Sequence, residues 1–199
     1  EENPDKIPAF LDECKNMKIE VILPDINLSG KYFMVQGNRI LFGLQAIKNV
    51  GNAAIDNILE ERDKDGTFND LFHFCERVSA FQVNRSTLES LIKAGAMDSL
   101  GQRDCLFASI DTALNHGASR QRDQASGQLS LFGEATSAEF ERPKLPKKYP
   151  QWSDQEKLRY EKEVLGYYLS GHPMEQYREE LKNFTRYRTS DLDDTLDQQ

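Results

Sequence analysis

The amino-acid sequence predicts a mainly α protein with a small β-hairpin element near its N-terminus. Three observations predict it. Apolar residues recur at three- and four-residue intervals over most of the first half of the chain. Gly, Asn and Pro punctuate those periodic runs at the places where helices end. One pair of short apolar segments, Tyr32-Phe33-Met34-Val35 and Arg39-Ile40-Leu41-Phe42, flanks Gln36-Gly37-Asn38 and reads as a hairpin.

Taken in order, residues from about Asp5 to Met17 read as a helix, with Phe10, Leu11 and Cys14 on one face and Asp5 as its cap. Ile19, Val21 and Ile22, then Pro24-Asp25-Ile26-Asn27 and Ser29-Gly30, read as extended chain and turn. After the hairpin the chain turns helical from Gly43. Leu44 and Ile47 lead to a break at Asn49-Val50-Gly51, and Ala54, Ile55, Ile58 and Leu59 mark a second helix ending at Asp65-Gly66. A third starts at Thr67 with Asp70 in its first turn and carries Leu71, Phe72, Phe74 and Val78. Ser86-Thr87-Leu88-Glu89 has a capping-box pattern and opens the next helix, which breaks at Ala94-Gly95-Ala96. Leu106, Ile110, Ala113 and Leu114 carry a further helix to about His116.

From Gly117 to Pro150 the composition shifts to Gln, Ser, Pro and charged residues, which reads as a flexible linker with one apolar island at Leu129 and Leu131-Phe132. Ser153-Asp154-Gln155-Glu156 then caps a helix running to about Leu169, stopped by Gly171-His172-Pro173. The tail beyond Tyr187 is acidic.

Composition narrows the function. At 199 residues, 38% hydrophobic and 29% charged, the chain is long enough for a core plus polar flanks. No apolar run approaches the roughly 20 residues that span a bilayer, so no membrane association is expected. The first residues have no signal-peptide character and no initiator Met, which suggests a piece of a longer chain. Cys14, Cys75 and Cys105 are scattered, the pattern of reduced cytoplasmic thiols, and none pairs with a His at zinc spacing. A net charge of −8 disfavours a generic electrostatic nucleic-acid binder. Any contact with DNA has to come from local backbone geometry and a few placed cations.

Such a geometry is written into Leu44 through Ile55, which has the form of a helix-hairpin-helix. A tight turn between helices leaves the first amides of the second helix without partners, and the helix dipole adds partial positive charge there. Lys48, Asn49, Val50, Gly51 and Asn52 form the candidate DNA-binding turn. Gly51 permits close backbone approach and Lys48 supplies a charge. Asn49 stands where the usual pattern has Gly, and Asn tolerates the left-handed conformation such a turn needs. Lys93, Ala94 and Gly95 resemble a second, more degenerate copy. The alternative for each is a plain helical corner with no ligand. Contacts of this kind go to phosphate and hold duplex DNA without reading its sequence.

The motifs together resemble the bacterial replicative DNA polymerase III alpha-subunit family. They are Pro24-Asp25-Ile26-Asn27, Phe42-Gly43-Leu44, Ala46-Ile47-Lys48-x-Val50-Gly51, Phe72-x-Phe74-Cys75-x-Arg77, Leu91-Ile92-x-Ala94-Gly95-Ala96-x-Asp98-x-Leu100-Gly101 and Glu161-x-Glu163-x-Leu165-Gly166-x-Tyr168-Leu169-Ser170-Gly171-His172-Pro173. The resemblance implies the end of the fingers region at 1–42, tandem helix-hairpin-helices at 43–116, a clamp-binding linker at 117–150, a helix at 151–175 and a connector toward an OB-fold at 176–199. It also implies a parent DNA-directed DNA polymerase, a nucleotidyltransferase using Mg²⁺, that works in DNA replication with other replicase subunits. An error-prone relative or a helix-hairpin-helix repair protein is the alternative.

Within the linker, Gln128-Leu129-Ser130-Leu131-Phe132 matches the short motif that tethers bacterial replication proteins to the sliding clamp. Leu131 and Phe132 offer adjacent apolar anchors, and the Gln128 amide can fix the register. No catalytic site and no metal site are expected in this chain. Its two closely spaced acidic pairs, Asp63/Asp65 and Asp191/Asp193, sit in polar turn and tail sequence rather than on an apolar strand.

Overall fold

In a computed structural model of the chain, residues 6–125, 143–146, 149–177 and 180 are described. The elements are α1 (Ile7–Asn16), β1 (Glu20–Ile22), β2 (Met34–Gln36), β3 (Arg39–Leu41), α2 (Asn52–Asp65), α3 (Leu71–Arg77), α4 (Arg85–Lys93), α5 (Arg103–Ala108), α6 (Ile110–Ala125) and α7 (Asp154–Leu165), with short 3-10 turns at Leu44–Ala46, Asp98–Leu100 and Glu175–Tyr177. The fold is mainly α beside one three-stranded sheet, as the sequence predicts. The hairpin forms with Gln36 opposite Arg39, so the turn is the two residues Gly37-Asn38 rather than three. The segment read only as extended chain is β1, which pairs in parallel with β3 and gives the order β1-β3-β2.

Several helix ends differ from the sequence reading, each for a local reason. Asn84, not Ser86, caps α4: its Oδ1 accepts the Thr87 N–H at 3.0 Å. Asp70 is the cap of α3 rather than a first-turn residue, accepting the His73 N–H at 2.8 Å. Ser153 and Glu156 do form the reciprocal capping box of α7, but left-handed Gly166 (φ 91°) ends that helix at Leu165, before Leu169. Between Leu44 and Ile47 the chain makes one 3-10 turn, not a helix.

The largest departure is α6, which continues past His116 to Ala125. Polar composition marked Gly117 as the start of a linker, yet Gly117 is where α6 lies against α3. A Cβ there would collide with the Cys75 carbonyl. One turn on, Gln121 Nε2 donates to the Val78 carbonyl at 2.7 Å and to those of Cys75 and Glu76, closing the C-terminal end of α3.

The core runs through Phe42, Leu44, Ile55, Ile58, Phe74, Leu91 and Leu106, all essentially inaccessible. Asn27 ties the extended N-terminal part to it, exchanging both amide and carbonyl with Phe68 (2.8 and 3.0 Å). Arg77 donates to the Gly66 carbonyl at 3.0 Å and to that of Glu61, finishing α2. The resemblance motifs around Asn27 and Arg77 therefore mark folding contacts. Cys75 is buried, and burial with Glu76 and Asp70 nearby pushes its thiol up to about 12.

Helix α7 closes the structure through a buried ion pair. Arg103 Nη1 donates to Glu161 Oε1 at 2.9 Å, while its Nε and Nη2 grip both Asp98 oxygens at 2.8 Å. Burial alone would lower the Arg103 pKa; the bonds to Asp98 and Glu161 outweigh it and raise it. Glu161 Oε2 accepts Ser170 Oγ at 2.9 Å and Ser170 N–H at 3.1 Å. Glu161→Ala leaves Arg103 buried with one partner and strips the 169–170 loop of its acceptor. A loss of about 3 kcal/mol in urea unfolding is expected. Lys157→Ala, which removes an exposed pair to Asp154, is expected to cost under about 0.5 kcal/mol.

Candidate nucleic-acid interface

The candidate turn is built by three constraints. Val50 is 8% exposed and Ile47 2%, so the turn is anchored on the core by two apolar side chains. Between them Asn49 takes the left-handed conformation, φ 64°, that its residue type suggested. The Lys48 N–H donates to the Val164 carbonyl at 2.8 Å, pinning the turn to the C-terminal end of α7. Lys48, Asn49, Gly51 and Asn52 face solvent.

The turn leads into an unfinished helix end. Gly51 is the cap of α2 and has no side chain to offer, and among the described residues no side-chain hydrogen bond caps the helix. The first intrahelical bond runs from Ile55 N–H to the Gly51 carbonyl at 3.1 Å. The amides of Asn52, Ala53 and Ala54 have no intrahelical acceptor at the helix's positive end; Asn52 and Ala53 are exposed there and Ala54 is buried. Gly51 itself has φ −73° and ψ 154°, which any residue adopts, and a Cβ there meets nothing within 4 Å. The fold does not need glycine at this position; an approaching anion would. The Lys48 ammonium extends toward the end of α7, 4.0 Å from where a Cβ at Gly166 would stand.

The second turn is built differently. The N–H groups of Ala94, Gly95 and Ala96 all donate inward, to the carbonyls of Ser90, Ile92 and Leu91 at 3.0, 3.0 and 2.9 Å. Ala94 is 0% exposed and Gly95 is buried, with the Arg103 guanidinium occupying the space a Cβ would take. Lys93 is engaged with Glu163 at 2.8 Å and lies over the Tyr160 ring at 5.2 Å. Lys93 holds α7, while the amides of Ala94 and Gly95 are used within α4 and are not open. The sequence signal for the difference is Asp98 with Arg103, a charged pair close behind the turn that its glycine pattern does not register.

Gln128 to Phe132, with Asp191 and Asp193, lie outside the described residues. Asp63 and Asp65 are exposed at the end of α2, Asp65 3.7 Å from Lys64. Among the described residues no group of three or more His, Cys, Asp or Glu side chains is arranged to hold a metal ion, and no helix is long and apolar enough to cross a membrane.

A turn with a left-handed residue, two apolar anchors and an uncapped following helix defines the helix-hairpin-helix class, and the family model described as a helix-hairpin-helix motif matches residues 18–106. Over nearly its whole length the chain also resembles polymerase subunits. It is 42% identical over 193 residues to the DNA polymerase III subunit alpha of Vibrio cholerae, covering 96% of this chain and 17% of the relative. It is 44% identical over 192 residues to that of Deinococcus radiodurans, 95% of this chain and 14% of the relative. The Thermus aquaticus subunit is 42% identical over 192 residues, 92% and 15%. The chain belongs to the DNA polymerase III alpha-subunit family, of whose members it spans about one sixth.

The two turns separate in a stability measurement. Gly51→Ala meets open space and is expected to shift unfolding free energy by less than about 1 kcal/mol. Gly95→Ala must adopt φ 80° and displace Arg103, with an expected loss of about 2–4 kcal/mol in the same urea titration.

Proposed function

We propose that this chain holds duplex DNA by its backbone, through the turn Lys48 to Asn52, as part of a replicative polymerase. The single observation that carries the reading is the uncapped, exposed start of α2 behind a glycine that the fold does not require. Backbone amides at a helix start bind a phosphate oxygen without regard to base, which suits an enzyme that moves along any sequence. The net charge of −8 limits how much the rest of the surface adds, so the contact is weak alone and depends on salt. Nucleotide addition and its Mg²⁺ belong, in this reading, to other parts of a cytoplasmic polymerase that assembles with further replicase subunits.

The test is fluorescence anisotropy of a labelled duplex at low salt. The parent chain is expected to bind unrelated sequences equally and to release them as salt rises. Lys48→Glu and Gly51→Val are each expected to weaken binding by about 3- to 10-fold, the first by charge reversal and the second by blocking backbone approach. Parental binding by both variants while folded would make the turn a structural corner.

The second half of the proposal is a tether. Gln128-Leu129-Ser130-Leu131-Phe132 supplies two adjacent apolar anchors and a register-fixing amide to the sliding clamp, which raises the effective concentration of polymerase on DNA. Surface plasmon resonance against the clamp is expected to show each of Leu131→Ala and Phe132→Ala costing about 1–3 kcal/mol of binding, and Gln128→Ala about 1 kcal/mol. Thermal unfolding of the same variants is expected to match the parent. Parental affinity in the Leu131→Ala, Phe132→Ala double variant would end the tether reading.

A further inference from the structure

The surface beside the DNA-binding turn carries an unfavourable charge. Asp56 lies four residues after Asn52, about 6 Å along the axis, on the exposed side of α2. Its side chain is 50% exposed. A bare carboxylate there stands close to any phosphate seated on the first amides, and like charges at that range repel.

The carboxylate is not bare. Lys31 Nζ lies 2.8 Å from Asp56 Oδ1. That hydrogen bond to Asp56 raises the Lys31 pKa, so the lysine keeps its charge at neutral pH. Lys31 comes from a distant loop, and its place there is fixed by the backbone. The Gly30 and Lys31 carbonyls accept the N–H groups of Leu44 and Gln45 at 3.0 and 3.1 Å. Gly43 makes that pairing possible, since a Cβ at 43 would stand 2.8 Å from the Lys31 carbonyl oxygen and 2.5 Å from the Tyr32 carbonyl carbon. The loop carrying Lys31 is thus bolted to the segment that leads into the DNA-binding turn.

We propose that Lys31 masks the Asp56 carboxylate and thereby keeps the start of α2 open to phosphate, making Lys31 and Gly43 positioning residues for duplex binding. The inference rests on the proposed role of the turn. Its consequence is a sign: removing the lysine weakens DNA binding chiefly because it exposes an acid, so removing the acid as well restores it. A lysine that itself contacts phosphate behaves otherwise, since Lys31→Gln then weakens binding by the same factor whether residue 56 is Asp or Asn.

The experiment is a double-substitution cycle on the 199-residue chain, reading duplex anisotropy at low salt with thermal unfolding of every variant. Lys31→Gln is expected to weaken binding by about 2- to 4-fold, and Lys31→Gln, Asp56→Asn to return it to within about 1.5-fold of the parent. Asp56→Asn alone is expected to bind within about 1.5-fold of the parent, so that Lys31→Gln matters only when the acid is present. If the double variant stays as weak as Lys31→Gln, or if Lys31→Gln binds like the parent, the masking role is overturned. Gly51→Val in the same series separates the two ideas. If it weakens binding while the cycle shows no recovery, only the masking inference fails. If neither it nor Lys31→Gln changes binding, the turn itself is not the contact and both fail.

Discussion

The packing of this chain depends on a carboxylate with no access to water. Glu161 is 0% exposed, and a buried charge is tolerated only when each of its oxygens is satisfied. One oxygen takes the Arg103 guanidinium and the other the 169–170 loop, so α5, α7 and the chain beyond α7 meet on one side chain. An isolated pair of this kind adds little net stability, but it tolerates only one arrangement. It therefore fixes the register of α7, which returns to the helical core after a long intervening stretch. The neighbouring α7 residues use that register: Glu163 takes Lys93, and the Val164 carbonyl takes the Lys48 amide.

This arrangement explains why two similar turns end with opposite characters. At the second, Arg103 fills the volume over Gly95 and the amides of residues 94 to 96 turn inward onto α4, while the Lys93 side chain engages α7. At the first, the Lys48 amide is taken by α7 and the Val50 amide by the Ile47 carbonyl, and among the described residues no side-chain bond closes the start of α2. The glycines report the division. Gly95 is required by φ 80° and a crowded site, while Gly51 is required by nothing inside the protein.

Much of the fold was legible because its signals are local. The apolar spacing of Ala54, Ile55 and Ile58 located α2, Ser153 with Glu156 located the start of α7, and Asn49 announced its left-handed backbone. The parts that were not legible depend on partners distant in sequence. Gly117 and Gln121 look like linker residues until α3 is set against them. The 3-10 turn at Leu44–Ala46 has too few residues for periodicity to distinguish it from a helix. In the candidate site, the exposed residues of the first turn were readable from composition and spacing. The inward bonds of the second, the Val164 bond to Lys48 and the Lys31–Asp56 pair were not, because each joins segments more than twenty residues apart or depends on such packing.

In the proposed function the open amides of α2, and not the second turn, receive the phosphate. Backbone amide chemical shifts of the ¹⁵N-labelled chain, followed during titration with a short duplex at low salt, test it most directly. The amides of Gly51, Asn52, Ala53 and Ala54 are expected to move together and saturate with the duplex, while those of Ala94, Gly95 and Ala96 stay in place. Movement centred on residues 94 to 96, with Gly51 to Ala54 unchanged, would contradict it.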